Sequence, residues 1–104
     1  MTKEEIFGKS VVGMLKIFDE KEELTQVIEI VGQIMSVDEK TGILICNHDT
    51  EKAISIPCAL DAFSPAKEGY YALQTGAKVK NPDLICYNSG SELIASGTCE
   101  AVII

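Results

Sequence analysis

The feature that most constrains this chain is a succession of short apolar runs separated by turn-forming residues. The longest run covers residues 24–37, in which Ile28, Ile30 and Ile34 are spaced by even numbers of residues. That spacing places the three side chains on one face of a β-strand. Turn sequences recur every 8–12 residues or so, a spacing typical of β-sandwiches and small barrels. The pattern therefore predicts a mainly β fold.

Glycine, proline and short polar side chains mark the predicted turns, at residues 38–42, 49–52, 74–76, 81–83 and 88–91. The strands that they delimit are predicted at residues 24–37, 43–47, 53–56, 70–73, 84–87, 93–95 and 99–104. Residues 58–68 break this rhythm and are predicted to be irregular, with Leu60 and Phe63 pointing inward. Gly32 interrupts the longest strand and indicates a bulge or a sharp bend there.

Residues 10–18 fit two descriptions. Their apolar side chains continue a helical spacing that begins at Phe7, but valine, isoleucine and phenylalanine favour strands and Gly13 weakens a helix. We predict a strand, with a helix as the alternative. Before it, Thr2 and Glu5 have the spacing of a capping box, which predicts a short helix.

A chain of 104 residues can bury one hydrophobic core and is too short for a second domain. We therefore predict a single β-rich domain over residues 1–104. Its expected architecture is an antiparallel β-sandwich or a small OB-like barrel of seven or eight short strands. At most one short N-terminal helix accompanies them.

The four cysteines are expected to be reduced and mostly buried. They are Cys46, Cys58, Cys86 and Cys99, and each has apolar neighbours in the sequence. They are sparser than in small disulfide scaffolds, and no export signal accompanies them. Cys46 and His48 share one face of a strand, but the sequence supplies no further ligand at a zinc-type spacing. We therefore predict no metal and no cofactor.

Charge and histidine content exclude several classes of function. The formal net charge is −7, all nine basic residues are lysine, and tryptophan is absent. Phosphate backbones repel such a surface, so nucleic-acid binding is not expected. The sole histidine, His48, falls in a predicted turn without a catalytic motif, so no enzyme is predicted. Glu4 and Glu5 break a signal-peptide pattern and no run approaches membrane-spanning length, which predicts a cytoplasmic protein without a membrane partner.

Acidic side chains concentrate in the predicted turns and form the candidate partner-binding set. Such a surface steers association with a basic protein. The candidate acids are Asp19, Glu20, Glu22, Glu23, Asp38, Glu39, Asp49 and Glu51. Tyr70 or Tyr71 is the candidate aromatic anchor, and we expect the other tyrosine to pack in the core.

Two resemblances extend this interpretation. Residues 60–73, continuing through Thr75 and Gly76 to 81–83, resemble a stretch found in small uncharacterised bacterial β-proteins. The whole chain resembles the immunity proteins of bacterial polymorphic-toxin and contact-dependent growth inhibition systems, which are small, acidic, cytosolic and without an active site. That resemblance implies an inhibitor of a basic toxin, often a nuclease. The alternative is a structural or accessory β-module that self-associates through an exposed strand edge, and the sequence leaves the oligomeric state open.

Overall fold

The computed structural model describes residues 1–90 and 95–99. A short helix, α1 (Lys3–Ile6), precedes the strands. The strands are β1 (Ser10–Phe18), β2 (Leu24–Asp38), β3 (Gly42–Asn47), β4 (Lys52–Ile56), β5 (Phe63–Pro65), β6 (Tyr70–Ala72), β7 (Lys78–Lys80), β8 (Leu84–Gly90) and β9 (Ala95–Thr98). A 3-10 turn at Leu60–Ala62 lies between β4 and β5. The predicted mainly β fold with one short N-terminal helix is confirmed.

Seven of the strands form one sheet in the order β5-β8-β1-β2-β3-β4-β9, and β6 pairs with β7 separately. Within the described ranges the two outer strands, β5 and β9, do not pair with each other, so the sheet is sandwich-like and not a closed barrel. One pair, β1 with β8, is parallel, unlike the antiparallel pairing that we predicted. Parallel neighbours need a long crossover, which the chain between β1 and β8 supplies.

The main core lies on one face of this sheet. Ile30, Ile34 and Leu15 are fully buried there, and Ile28 packs against them, so the face predicted from the isoleucine spacing is confirmed. β3 alternates between two apolar environments, because Ile43 and Ile45 join this core while its intervening side chains point the other way. A second, smaller cluster therefore covers the opposite face, formed by Leu44, Cys46, Ala53 and Cys99 with Met35 against it.

The local predictions for the first half of the chain hold closely. The strand over residues 10–18 is β1, and Thr2 and Glu5 form the predicted capping box. The turn after β2 has Gly42 at φ +93, as expected for its glycine. Phe63 is buried and Leu60 packs partly against the core, as predicted for the irregular segment.

In the second half of the chain, several observed elements differ from the predicted ones. Residues 88–91 were predicted as a turn, but β8 continues to Gly90 because that part of the strand pairs with β1 as far as Ile17. The short strands β5 and β7 were not predicted, and β5 lies in the segment predicted to be irregular. The strands predicted over 93–95 and 99–104 lie outside the described residues, apart from Ala95, at which β9 begins, and Cys99.

β2 is bent within its length. Fifteen residues in an extended strand would measure about 48 Å, whereas the longest dimension of the protein is 37 Å. Gly32 has φ +147, and a Cβ at this position would collide with the backbone of Cys46. The register shift lies slightly further along, between Ile34 and Ser36. The bulge or bend predicted at Gly32 therefore lies a little further along, at Met35, and at Gly32 itself the structure shows a close approach between strands.

Candidate functional site

The first half of β2 has a free strand edge. β1 pairs with β2 from Leu24 to Gln33, but β3 pairs with β2 only from Gln33 to Asp38. Among the described strands, residues 24–32 pair with β1 alone, and the side chain of Glu29 accepts a hydrogen bond from the Gln74 N–H at 2.8 Å, so the unoccupied part of this edge is residues 24–28. Their outward backbone N–H and C=O groups form an edge on which another strand can pair.

The loop between β1 and β2 is held in one shape by Asp19. Its Oδ1 accepts hydrogen bonds from the backbone N–H of Lys21 at 2.8 Å and of Glu23 at 3.0 Å. The backbone of Asp19 also donates to the Glu23 carbonyl at 2.9 Å and accepts from the Glu22 N–H at 3.0 Å. Glu22 adopts φ +62 within this closed loop. The loop is therefore ordered before any partner arrives.

Exposed apolar side chains lie directly beside these acids. Leu24 is 52% exposed and Val27 is 37% exposed. The side chains of Glu20, Glu22 and Glu23 are exposed as well. We name these five residues, together with the free edge that they flank, the hairpin surface. It combines acids, apolar contacts and open backbone groups.

The acids of the next turn lie at the other end of β2. Asp38 accepts hydrogen bonds from the backbone N–H groups of Lys40 and Thr41, at 2.7 and 2.9 Å. Those bonds, chiefly the one from Thr41, hold the pKa of Asp38 below its ordinary value. Glu39 forms an ion pair with Lys3 at 3.1 Å. The side chains of Asp38 and Glu39 are exposed, but they are not part of the hairpin surface, because they lie at the opposite end of β2.

The third acidic turn, between β3 and β4, also stands apart. Asp49 and Glu51 are exposed, and Glu51 adopts φ +60. Asp49 lines a cleft of about 370 Å³ between this turn and the β6–β7 hairpin, whose Leu73 and Ala77 line the other side. The structure thus brings Asp19, Glu20, Glu22 and Glu23 together, and leaves the other candidate acids in two separate places.

The two candidate tyrosines differ in exposure. Tyr70 is 68% exposed on β6, opposite Lys80. Tyr71 is half-buried, and its hydroxyl donates to the Lys67 carbonyl at 2.8 Å. Tyr70 is thus the tyrosine available for contact. Sequence reasoning did not single out Tyr87, which is 61% exposed where β8 lies beside β1.

The cysteines depart from expectation. Cys46 and Cys99 form a disulfide, with their Cα atoms 5.6 Å apart, whereas Cys58 and Cys86 are free. The expectation of four free thiols is therefore wrong for one pair. The two cysteines meet because β9 pairs with β4, which brings Cys99 beside the end of β3. Burial raises the pKa of the Cys86 thiol to about 12.

His48 stands next to this disulfide. Its Nδ1 lies 3.6 Å from Cys46 Sγ, and its Nε2 lies 3.0 Å from Gln33 Oε1. The Gln33 amide is oriented by its own Nε2, which donates to the Gly8 carbonyl at 3.1 Å. One ligand-type atom each from Cys46, His48 and Cys99 lies within 4.8 Å of the others. Cys46 and His48 open onto a cleft of about 470 Å³.

Comparison with protein-family models, with curated proteins and with solved structures gave no match. Among residues 1–90 and 95–99, no helix has the length and apolar character needed to cross a bilayer.

Proposed function

We propose that this chain is an acidic protein-binding domain that neutralises a basic partner, as immunity proteins neutralise toxins. The hairpin surface is its main contact region. The observation that carries the proposal is the free edge of β2 beside an ordered loop that carries exposed acids. A basic partner segment that adds to this edge as a strand would place its lysines or arginines beside the acids.

Three physical contributions favour this region. Backbone hydrogen bonds along residues 24–28 supply affinity, and burial of Leu24 and Val27 adds an apolar term. The loop is already closed by Asp19, so binding costs little ordering entropy there. The net charge of −7 supports a basic partner, because a negative field accelerates its encounter.

Two matched charge reversals test the proposal. The hairpin variant is Glu20→Lys with Glu23→Lys, and the turn variant is Asp49→Lys with Glu51→Lys. Both change the formal net charge from −7 to −3, so they differ only in where the charge changes. None of the four side chains makes a hydrogen bond or an ion pair within the described residues.

The tagged chain and both variants are used to capture proteins from a lysate of the source cells at low and moderate salt. We expect a basic protein that the wild type and the turn variant retain and that the hairpin variant loses. Retention by the hairpin variant, or equal loss from both variants, would contradict the proposed surface.

The same free edge favours a second candidate function, self-association of a structural module. Two copies that pair through residues 24–28 would each carry a net charge of −7, and like charges oppose that pairing. A dimer that persists at all salt concentrations and becomes monomeric with Val27→Lys would favour this second function. A monomer at every salt concentration would favour the basic partner.

A further inference from the structure

The disulfide and its neighbouring histidine contain three protein ligands of the kinds that bind zinc. Cys46 and Cys99 supply two sulfur atoms, and His48 supplies a ring nitrogen, all within 4.8 Å. Two thiolates and one imidazole form a known zinc ligand set, with water completing the tetrahedron. His48 is exposed, so solvent reaches the fourth position.

The orientation of His48 suits a metal ligand. Because Gln33 Nε2 donates to the Gly8 carbonyl, Gln33 Oε1 is the atom that faces the histidine, and it accepts from His48 Nε2–H. In the neutral ring, that bond selects the tautomer whose Nδ1 is the acceptor, and this nitrogen faces Cys46 Sγ. Metal-bound histidines commonly donate their second nitrogen to an oxygen in this manner, which fixes the tautomer.

One of the required distances is already present. With Zn–S near 2.3 Å and Zn–N near 2.05 Å, tetrahedral angles separate a sulfur and a nitrogen by about 3.6 Å. Cys46 Sγ and His48 Nδ1 are 3.6 Å apart. Two sulfurs on the same ion lie about 3.8 Å apart. Once the disulfide is reduced, side-chain rotation lets the two sulfurs reach that separation.

We propose that Cys46, His48 and Cys99 form a redox-gated Zn²⁺ site, closed by the disulfide and opened by its reduction. A dithiol reductant supplies two electrons and two protons, which break the sulfur–sulfur bond and give two thiols, while the dithiol becomes a disulfide. Zn²⁺ then binds both sulfurs as thiolates, and their two protons pass to solvent. In a reducing compartment this pair is a dithiol, which makes the metal-binding state the resting one.

Metal titrations of the full chain test the site, with Zn²⁺ for affinity and Co²⁺ for its visible spectrum. The reduced wild type should bind one Zn²⁺, and its Co²⁺ form should show tetrahedral bands with thiolate-to-metal charge transfer. His48→Ala should weaken Zn²⁺ binding at least 100-fold. Cys58→Ser, which removes a free cysteine outside the site, should leave the affinity unchanged. The oxidised protein should not bind.

Gln33 is a positioning residue and is tested separately. Gln33→Ala should weaken Zn²⁺ binding by about 10- to 100-fold, whereas Gln33→Glu keeps an acceptor for His48 Nε2–H and should preserve it. Thermal unfolding of each variant shows whether the fold is intact. Failure of the reduced, folded protein to bind Zn²⁺, or equal binding by wild type and His48→Ala, would overturn the proposal. The disulfide would then serve only to join β9 to the end of β3.

Discussion

Replacing Gly32 by alanine tests whether the backbones of β2 and β3 approach so closely at this position that only glycine fits. Gly32 combines two obstacles to a side chain, a φ of +147 and contact with the Cys46 backbone. A positive φ costs a non-glycine residue about 1 kcal/mol or more, and an added methyl in a packed position costs about 1–3 kcal/mol. We therefore expect Gly32→Ala to lower the free energy of unfolding by about 3 kcal/mol.

Two other glycines separate these contributions. Gly69 has nearly the same φ, +142, but a Cβ there meets nothing within 4 Å. Gly13 lacks a positive φ, but its Cβ would collide with the Cys86 backbone. Gly69→Ala should thus lower the free energy of unfolding by about 1 kcal/mol, because only the dihedral angle is unfavourable. Gly13→Ala should cost about 2 kcal/mol for the collision alone.

Urea unfolding followed by circular dichroism measures all three variants. A domain of this size has a free energy of unfolding of about 5–15 kcal/mol, so a loss of about 3 kcal/mol is a large fraction of it. The midpoint should fall without a change in the slope of the transition. A Gly32→Ala variant that loses no more stability than Gly69→Ala would refute the close approach of the backbones at Gly32.

Three further predictions concern the rest of the fold. Hydrogen bonds from the Ser10 N–H and hydroxyl hold the pKa of Asp83 below its ordinary value. The stability that ionised Asp83 adds to the fold is therefore fully present above about pH 4, and it is lost as the pH falls through the pKa that Asp83 has in the folded protein. Asp83→Asn should cost about 1 kcal/mol at pH 7 and flatten the loss of stability in acid titrations. Because burial raises the pKa of Cys86 to about 12, iodoacetamide at pH 8 should label half-buried Cys58 and spare Cys86 until the protein unfolds; equal labelling of the native protein would contradict this. Leu15→Ala, in the fully buried core, should lower the free energy of unfolding by about 3 kcal/mol in the same urea assay, and a loss below about 1 kcal/mol would contradict its placement.

Local patterns were sufficient for the elements whose signals are local. The alternation of isoleucines in β2 and the glycine at the β2–β3 turn depend only on neighbouring residues, and both were predicted. The end of β8 was not predicted. The sequence of Asn88, Ser89 and Gly90 is typical of a turn, and these residues form a strand because they pair in parallel with β1. That pairing joins segments some 70 residues apart, which no periodicity reveals.

For the candidate sites, too, the local features were predicted and the features that depend on long-range strand pairing were not. The acids of the β1–β2 loop were identified from the sequence, but the free edge beside them depends on how far β3 reaches along β2. Cys46 and His48 were noted as a pair on one strand face, but the sequence predicted no metal. The ligand that the proposed zinc site adds is Cys99, 53 residues beyond Cys46. Only the pairing of β9 with β4 brings that cysteine into place.

The most direct test of the hairpin surface is the association rate constant of a purified basic partner, measured at low salt for the wild type, the hairpin variant and the turn variant. Local steering by the ordered acids predicts that Glu20→Lys with Glu23→Lys slows association about tenfold or more. Asp49→Lys with Glu51→Lys carries the same net charge and should change the rate much less. Equal slowing by both variants, or no slowing by the hairpin variant, would show that the partner does not bind at the edge of β2.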